Sequence, residues 1–325
     1  MKRLKKLLII FLAVVTALGM TLAFTGCGEK SKTATLKIVK QYGMAYAPLK
    51  VMEKKKLIEK YYDGDLDIEW NTLNSGAAIT ESFASGDVDV GAMGIGPAVT
   101  GALSDCGFKI CSGMSSQPNK LMTNDSSITS VKDITSDDKI ALVNENSFQH
   151  IILAMECKKV LGDAHALDEN ITAMSHPDGM SALKAGSVAC QVTTTPYIFE
   201  EADDGMDEVT DFTDVWPQGN SFIVLCATKK LYKDNPELYE AVVKACAEAV
   251  KWINDNPKAA AKMLCEDEGV DADTMLTWLK DPSCIYSTKI KGVMDFNDFM
   301  GENGFLEVDQ ATKLSQLAFD NVKGN

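Results

Sequence analysis

The sequence predicts an α/β fold with largely parallel sheet, and three observations lead there. Short apolar or alternating runs take turns with helical segments, joined by connections of a few residues. This alternation occurs twice, on either side of a polar, aperiodic stretch over residues 121–138. The chain has 325 residues, room for two domains of roughly 150 residues each.

Each element has a local signal. Residues 36–39 read as a first strand that ends at Gln41-Tyr42-Gly43. Pro48 opens a helix whose apolar side is Leu49, Met52, Leu57, Ile58 and Tyr61, broken at Asp63-Gly64. Leu66, Ile68 and Trp70 alternate with Asp67, Glu69 and Asn71, the period-two pattern of a strand. A turn at Asn74-Ser75-Gly76 leads into a helix over 77–84, stopped by Gly86. Residues 88–93 form the next strand, Pro97 sits in the first turn of a helix reaching Leu103, and 108–111 is a short strand. The second unit has strands over 140–143, 171–174 and 188–192, with helices over 148–161 and 180–184 stopped by Gly162 and Gly186. An apolar strand follows at 222–227. The remainder reads as a helical tail. Pro236 opens a long helix with Leu238, Val242, Ala245, Ala249 and Trp252 on one face and Glu237, Glu240, Lys244, Glu248 and Lys251 on the other. Pro257 opens another helix, and 275–279, 296–299 and 311–322 read as shorter ones.

Residues 1–26 stand apart. Lys2, Arg3, Lys5 and Lys6 precede an apolar run over 7–23, followed by Phe24-Thr25-Gly26-Cys27. A basic start, an apolar run and small residues before a cut define a secretory signal. The segment resembles a bacterial lipoprotein signal, although Phe24 stands where that pattern usually has Leu. The resemblance implies that Cys27 is lipidated and becomes the mature N-terminus. Residues 27–34 are small, polar and charged, and read as a tether. The body is expected to lie outside the cytoplasm, held at the cell membrane by its lipid.

Charge and composition exclude several classes. The chain carries 46 acidic against 32 basic residues, a net charge of −14, and four of the basic residues lie in the leader. Nucleic-acid binding needs a basic footprint that is missing here. Arg3 is the sole arginine. Any anion site in the mature chain must therefore use backbone N–H groups, Lys, His or hydroxyls, without the bidentate guanidinium fork. The acidic field opposes anions mildly, but salt screens it beyond about 10 Å. Eight cysteines follow Cys27, with no C-x-x-C pair and no cluster with the three histidines, so no metal is expected. Cys106 and Cys111 are near enough in sequence for a local disulfide, which spacing alone leaves open. There is no Walker loop, no H-E-x-x-H and no Ser-His-Asp spacing, so neither catalysis nor a cofactor is expected.

Ligands of such sheets sit beyond the C-terminal strand ends, where loops meet helix starts. A helix start offers unpaired N–H groups and the positive end of a dipole, and so binds anions without a cationic side chain. The bland alternative at each is a simple N-cap. Three starts are candidates: Ser75, Gly76 and Ala77; Gly94, Ile95, Gly96 and Pro97; and Ser147, Phe148, Gln149 and His150. Other loops at the same strand ends add Gln41, Tyr42 and Tyr46, then Ser115, then Thr195 and Tyr197, and finally Asn220 in the polar segment 216–221. Trp216 is a further aromatic near the cleft. His150 is the histidine expected at the ligand, whereas His165 and His176 read as surface or structural residues.

Four pieces carry a family resemblance: SGAAITESFASGDVDVGAMGIGPAV (75–99), ITSVKDITSDDKIALVNENSFQH (128–150), HPDGMSALKAGSVACQVTTTPYIFEE (176–201) and FIVLCATKKLYKDNPELYEAVVKA (222–245). In this order, after a lipoprotein-like start, they resemble the solute-binding lipoproteins of ABC importers in the nitrate, taurine and aliphatic sulfonate group. The resemblance implies a bilobed periplasmic-binding-protein-like fold of type II, two α/β lobes joined by a two-stranded hinge, with a helical C-terminal tail. It divides the chain into lobe one, 35–123 and 222–325, and lobe two, 124–221. It implies a monomeric receptor that closes on a small solute and delivers it to an ABC permease and its ATPase. Binders of the thiamine-precursor pyrimidine are an alternative within the group. An enzyme of the same fold that makes that pyrimidine is disfavoured, because its cysteine-rich motif is absent. An orphan receptor that presents its ligand to a sensor is a third possibility.

Overall fold

The computed structural model describes residues 33–324. The predicted leader, Cys27 and nearly all of the tether lie outside them.

Two sheets organise the chain. The first contains β1 (Ala34–Lys40), β2 (Leu66–Thr72), β3 (Val90–Gly94), β4 (Phe108–Ser116), β10 (Ile223–Thr228) and β11 (Ile285–Tyr286), in the order β11-β4-β10-β3-β1-β2. The second contains β5 (Asn119–Thr123), β6 (Ile140–Leu142), β7 (Ile171–Ala173), β8 (Cys190–Thr194) and β9 (Asp207–Thr210), in the order β7-β6-β8-β5-β9. In each sheet the pairs β1–β2, β1–β3, β6–β7 and β6–β8 are parallel, and the returning strands β10 and β5 run antiparallel. The chain passes between sheets twice, through Gln117-Pro118 and through residues 211–222. The passages touch where Gly219 N–H donates to Ser116 Oγ at 3.1 Å. This is the bilobed type II arrangement, with the tail packed on the first sheet.

Between the first-sheet strands lie α1 (Ala47–Lys54), α2 (Leu57–Tyr61), α3 (Gly76–Ser85) and α4 (Ile95–Leu103). The second sheet carries α5 (Phe148–Leu161), α6 (His176–Lys184) and α7 (Tyr197–Asp203). The tail adds α8 (Lys229–Asp234), α9 (Pro236–Asp255), α10 (Pro257–Leu264), α11 (Ala272–Leu279) and α12 (Val293–Glu302). α9 buries Leu238, Val242, Ala245, Ala249 and Ile253, four of them from the face its periodicity predicted; Trp252 is only partly buried. None of the described helices is long and apolar enough to cross a membrane.

Several expectations are corrected. The helix opened by Pro48 is two helices, because Lys56 takes a left-handed conformation (φ 51°) between them. Residues 119–123 were expected in the first lobe, but β5 pairs with β8 and β9 of the second sheet. β9 and β11 carried no strand signal; both are short edge strands. α6 begins at His176, four residues before the expected start, because Ser175 caps it and Pro177 suits its first turn. Residues 311–322 hold only a 3-10 turn, Leu314–Gln316, in place of the expected helix. Ala318 forms a parallel bridge to Ile110 of β4, with Ile110 N–H on Leu317 O and Phe319 N–H on Ile110 O, both 2.9 Å. Apolar contact with a sheet edge there outweighs local helix propensity. All eight cysteines of the described residues are free thiols, Cys106 and Cys111 included.

Candidate functional site

The strands β1, β3 and β4 all end at one edge of the first sheet, facing the edge where β6 and β8 end and β5 begins. Helix starts follow on both sides. Ser75 Oγ accepts from Ala78 N–H at 3.2 Å, Ser147 Oγ from His150 N–H at 3.1 Å and Ser175 Oγ from Asp178 N–H at 3.4 Å. Each cap satisfies one of the first-turn N–H groups, which leaves those of Gly76, Ala77, Phe148, Gln149 and His176 without an intrahelical acceptor. The α4 start differs. Ile95 N–H donates to Phe222 O at 3.1 Å, and Pro97 has none to give.

These starts meet around a slit of about 10 Å³, lined by Gln41, Tyr46, Gly76, Gly94, Pro97, Val143, Ser147, Phe148, Gln149, His176, Phe222 and Ile223. That volume holds about one water molecule. The cleft is closed. Backbone meets backbone across it, and a Cβ on Gly96 would stand 2.5 Å from Asn146 O. On Gly94 it would meet Phe148 Cβ across the cleft at 3.0 Å, and on Gly76 it would meet the Pro97 ring of the same lobe at 2.4 Å. Glycine is required at these positions for close approach rather than for turn conformation.

Aromatic packing clamps the closed form. The Phe148 ring lies 4.7 Å from Phe222 and 5.5 Å from Phe296, stacked on the latter at 5°, with Trp216 edge-on at 5.9 Å. Phe148 belongs to the second lobe, Phe222 to the return passage and Phe296 to the tail. The slit contains no residue charged at neutral pH. Burial presses the His176 imidazole down to about 4, and its ring stacks on Tyr197 at 5.5 Å. The Tyr46 phenol is likewise driven up by burial, so it remains a neutral donor.

A second cavity of about 400 Å³ adjoins the slit at Gln41. Tyr42 and Tyr197 line it, together with the side chains of Lys40, Lys50, Glu53, Lys54, Asp267 and Glu268.

The predicted residues divide accordingly. Gln41, Tyr46, Gly76, Gly94, Pro97, Ser147, Phe148 and Gln149 come together at the slit, and Tyr42 and Tyr197 at the outer cavity. Ser75, Ala77, Ile95 and Gly96 shape the starts without lining either. Ser115 Oγ is spent on Ala45 O at 3.0 Å, and Thr195 Oγ1 on Gln117 Oε1 at 2.9 Å. Thr195 O also accepts Met44 N–H at 3.2 Å, so this residue joins the lobes. Asn220 is buried beside Gly292, away from both cavities.

His150 is displaced from the expected role. Its Nδ1 accepts from Asn146 N–H at 2.9 Å, and Nε2 lies 3.0 Å from Asp168 Oδ1. Both nitrogens are occupied and the ring faces Phe305, not the slit. The missed histidine is His176. Its signal was present: a strand running into Ser175-His176-Pro177 repeats the strand-to-capped-start pattern seen before Phe148.

His165 joins the lobes on the far side. Nδ1 is 2.7 Å from Asp168 Oδ2 and Nε2 is 2.7 Å from Asn303 O in the tail. Both partners accept, so only the doubly protonated ring satisfies both contacts. The Asp168 carboxylate chiefly, helped by the Asn303 carbonyl and the Asp163 charge, raises the pKa above 6.5. A group whose folded value is raised contributes fully below its unfolded value and loses that contribution as pH rises through the folded one. Scattering of the solute-free protein should therefore show the lobes loosening across that upper range. His165→Ala should remove the pH step, and an undiminished step in the variant would refute this latch.

Comparison with known proteins places this geometry. The NMT1-like family matches residues 28–266. A predicted ABC transporter periplasmic binding protein of Brachyspira hyodysenteriae is 26% identical over 253 residues, covering 74% of this chain and 71% of that protein. Among solved structures, the alkanesulfonate-binding protein SsuA from Xanthomonas axonopodis pv. citri bound to MOPS superposes with TM-score 0.73 at 16% identity, covering 90% of this chain and 99% of that one. The periplasmic nitrate-binding protein NrtA from Synechocystis PCC 6803 gives 0.69 at 15% identity, covering 90% and 86%. The structural likenesses establish the fold, and the match over most of its length establishes that the chain belongs to the NMT1-like family.

Proposed function

We propose that this protein is the extracytoplasmic solute-binding component of an ABC importer. It is tethered through a lipid on Cys27, acts as a monomer and hands its solute to a permease driven by an ATPase. The lobes are residues 33–116 with 223–324, and residues 119–210, joined by the two passages. The observation that carries the reading is the facing of α3, α5 and α6 starts across one closed slit that contains no charged side chain. Backbone N–H groups, the Gln41 amide, the Tyr46 hydroxyl and the second N–H of the Gln149 amide, whose first is given to Asn119 Oδ1 at 2.9 Å, suit a small sulfonate, nitrate or related organic anion. The slit as it stands holds about one water molecule, so the lobes part to admit the solute and settle around it through contacts made to both at once. No step of this reading is catalytic, and its relatives named for sulfonate and nitrate binding support it.

A thermal-shift screen across alkanesulfonates, taurine, nitrate and aminopyrimidines tests it. At least one of the anions should raise the melting temperature. Gln149→Ala should weaken that ligand by roughly ten-fold, the scale of one lost hydrogen bond to a charged group. A rise with aminopyrimidines alone would move the protein to the pyrimidine-precursor binders, and no rise with any of them would remove the solute class proposed here.

A further inference from the structure

The outer cavity contains three ammonium groups and three carboxylates, and among the described residues Lys40 and Glu53 are the two left without an ion-pair partner. Lys50 pairs with Glu268, and Lys54 pairs with Asp267 at 3.0 Å. Among the described residues Lys40 has no carboxylate within ion-pair distance; its Nζ donates to Thr72 Oγ1 at 3.0 Å. Burial lowers its pKa and the neighbouring Lys50 charge adds to the effect, while Glu53, Asp267 and Glu268 act on it only from a distance. A partly desolvated ammonium with one neutral partner is stabilised by an arriving anion. The cavity sits against both lobes, because Tyr197 comes from the second and Tyr42 from the first. It adjoins the slit at Gln41. At about 400 Å³ it falls within the usual range for small-molecule sites.

We propose that the outer cavity is a second subsite of the cleft, in which Lys40 holds a carboxylate at the far end of a solute whose anionic head occupies the slit. Tyr42 and Tyr197 wall the connecting segment. This rests on the reading of the slit as an anion site, and it narrows the solute to one with two anionic ends. The Lys40 contact bridges the lobes through the ligand, so it favours the closed form in the same direction as the slit.

Three sulfonates that differ only at the far end test it by calorimetry: ethanesulfonate, sulfoacetate and taurine. Sulfoacetate should bind roughly ten-fold more tightly than ethanesulfonate, as expected for one charge-assisted contact. Lys40→Met should abolish that preference and leave ethanesulfonate unchanged. Equal binding of the two, or a preference that survives in Lys40→Met, overturns the subsite. Tighter binding of taurine also overturns it, with Glu53 as the reading group instead. If no sulfonate binds, the reading of the slit fails, and the outer cavity is judged separately with succinate. Succinate should then protect Lys40, but not the exposed Lys258, from reductive methylation, and equal labelling of both would overturn the subsite.

Discussion

Gly96→Ala is expected to hold the cleft open and to weaken solute binding by roughly ten- to hundred-fold, since the wedge acts only on the closed state. The added Cβ would stand 2.5 Å from Asn146 O, 3.1 Å from Ser147 C and 3.2 Å from Phe148 N. All three are backbone atoms of the opposite lobe, so no side-chain rotation relieves the contact. The lobes must separate. Within its own lobe the change is benign, because alanine in a helix is favoured over glycine by about 1 kcal/mol. The melting temperature of the solute-free protein should therefore hold or rise while affinity falls. Scattering should show a larger radius of gyration than wild type at neutral pH. Unchanged affinity with an unchanged radius would mean that closure does not bring α4 and α5 together as described.

Glu201→Gln is expected to abolish most of the fall in stability between pH 5 and 8. Glu201 lies in α7 with no solvent exposure, and neither carboxyl oxygen has a hydrogen-bond partner among the described residues. The nearest influential cation, Lys184, already pairs with Asp204. Burial pushes the Glu201 carboxyl up to about 8. The folded protein thus keeps a proton that the unfolded chain releases above its ordinary value of 4.5. Where the folded state binds more protons, stability falls as pH rises. The loss accumulates from about 4.5 to about 8 and then levels, reaching on the order of 5 kcal/mol. Urea unfolding of wild type and Glu201→Gln at pH 5 and pH 9 separates the cases. The two should be similar at pH 5, and the variant should be the more stable at pH 9. Parallel curves at both values would show that Glu201 is ionised and solvated in the folded protein.

The amino-acid order determined the local devices. Ser75, Ser147 and the glycine at 162 mark helix ends by hydrogen bonding and backbone freedom that act within a few residues, so their effect is readable without tertiary contacts. The alternation of β2 and the amphipathic face of α9 are equally local. The same order placed Gln41, Gly94, Ser147 and Gln149 at strand ends, which is why these residues meet at the slit. Three things were decided only by the tertiary structure. Ala318 became a bridge partner of Ile110, rather than part of a helix, because β4 offered unpaired backbone and an apolar seat. His150 left the site because Asn146 and Asp168 took both ring nitrogens, and His176 entered it because α6 begins four residues before its periodic apolar pattern does. Lys40 acquired its role from what surrounds it. Its possible partners on the tail, Asp267 and Glu268, lie more than two hundred residues away in sequence and are already paired with Lys54 and Lys50. Which charge is left over in a cavity depends on distances between distant segments, and no local signal encodes them.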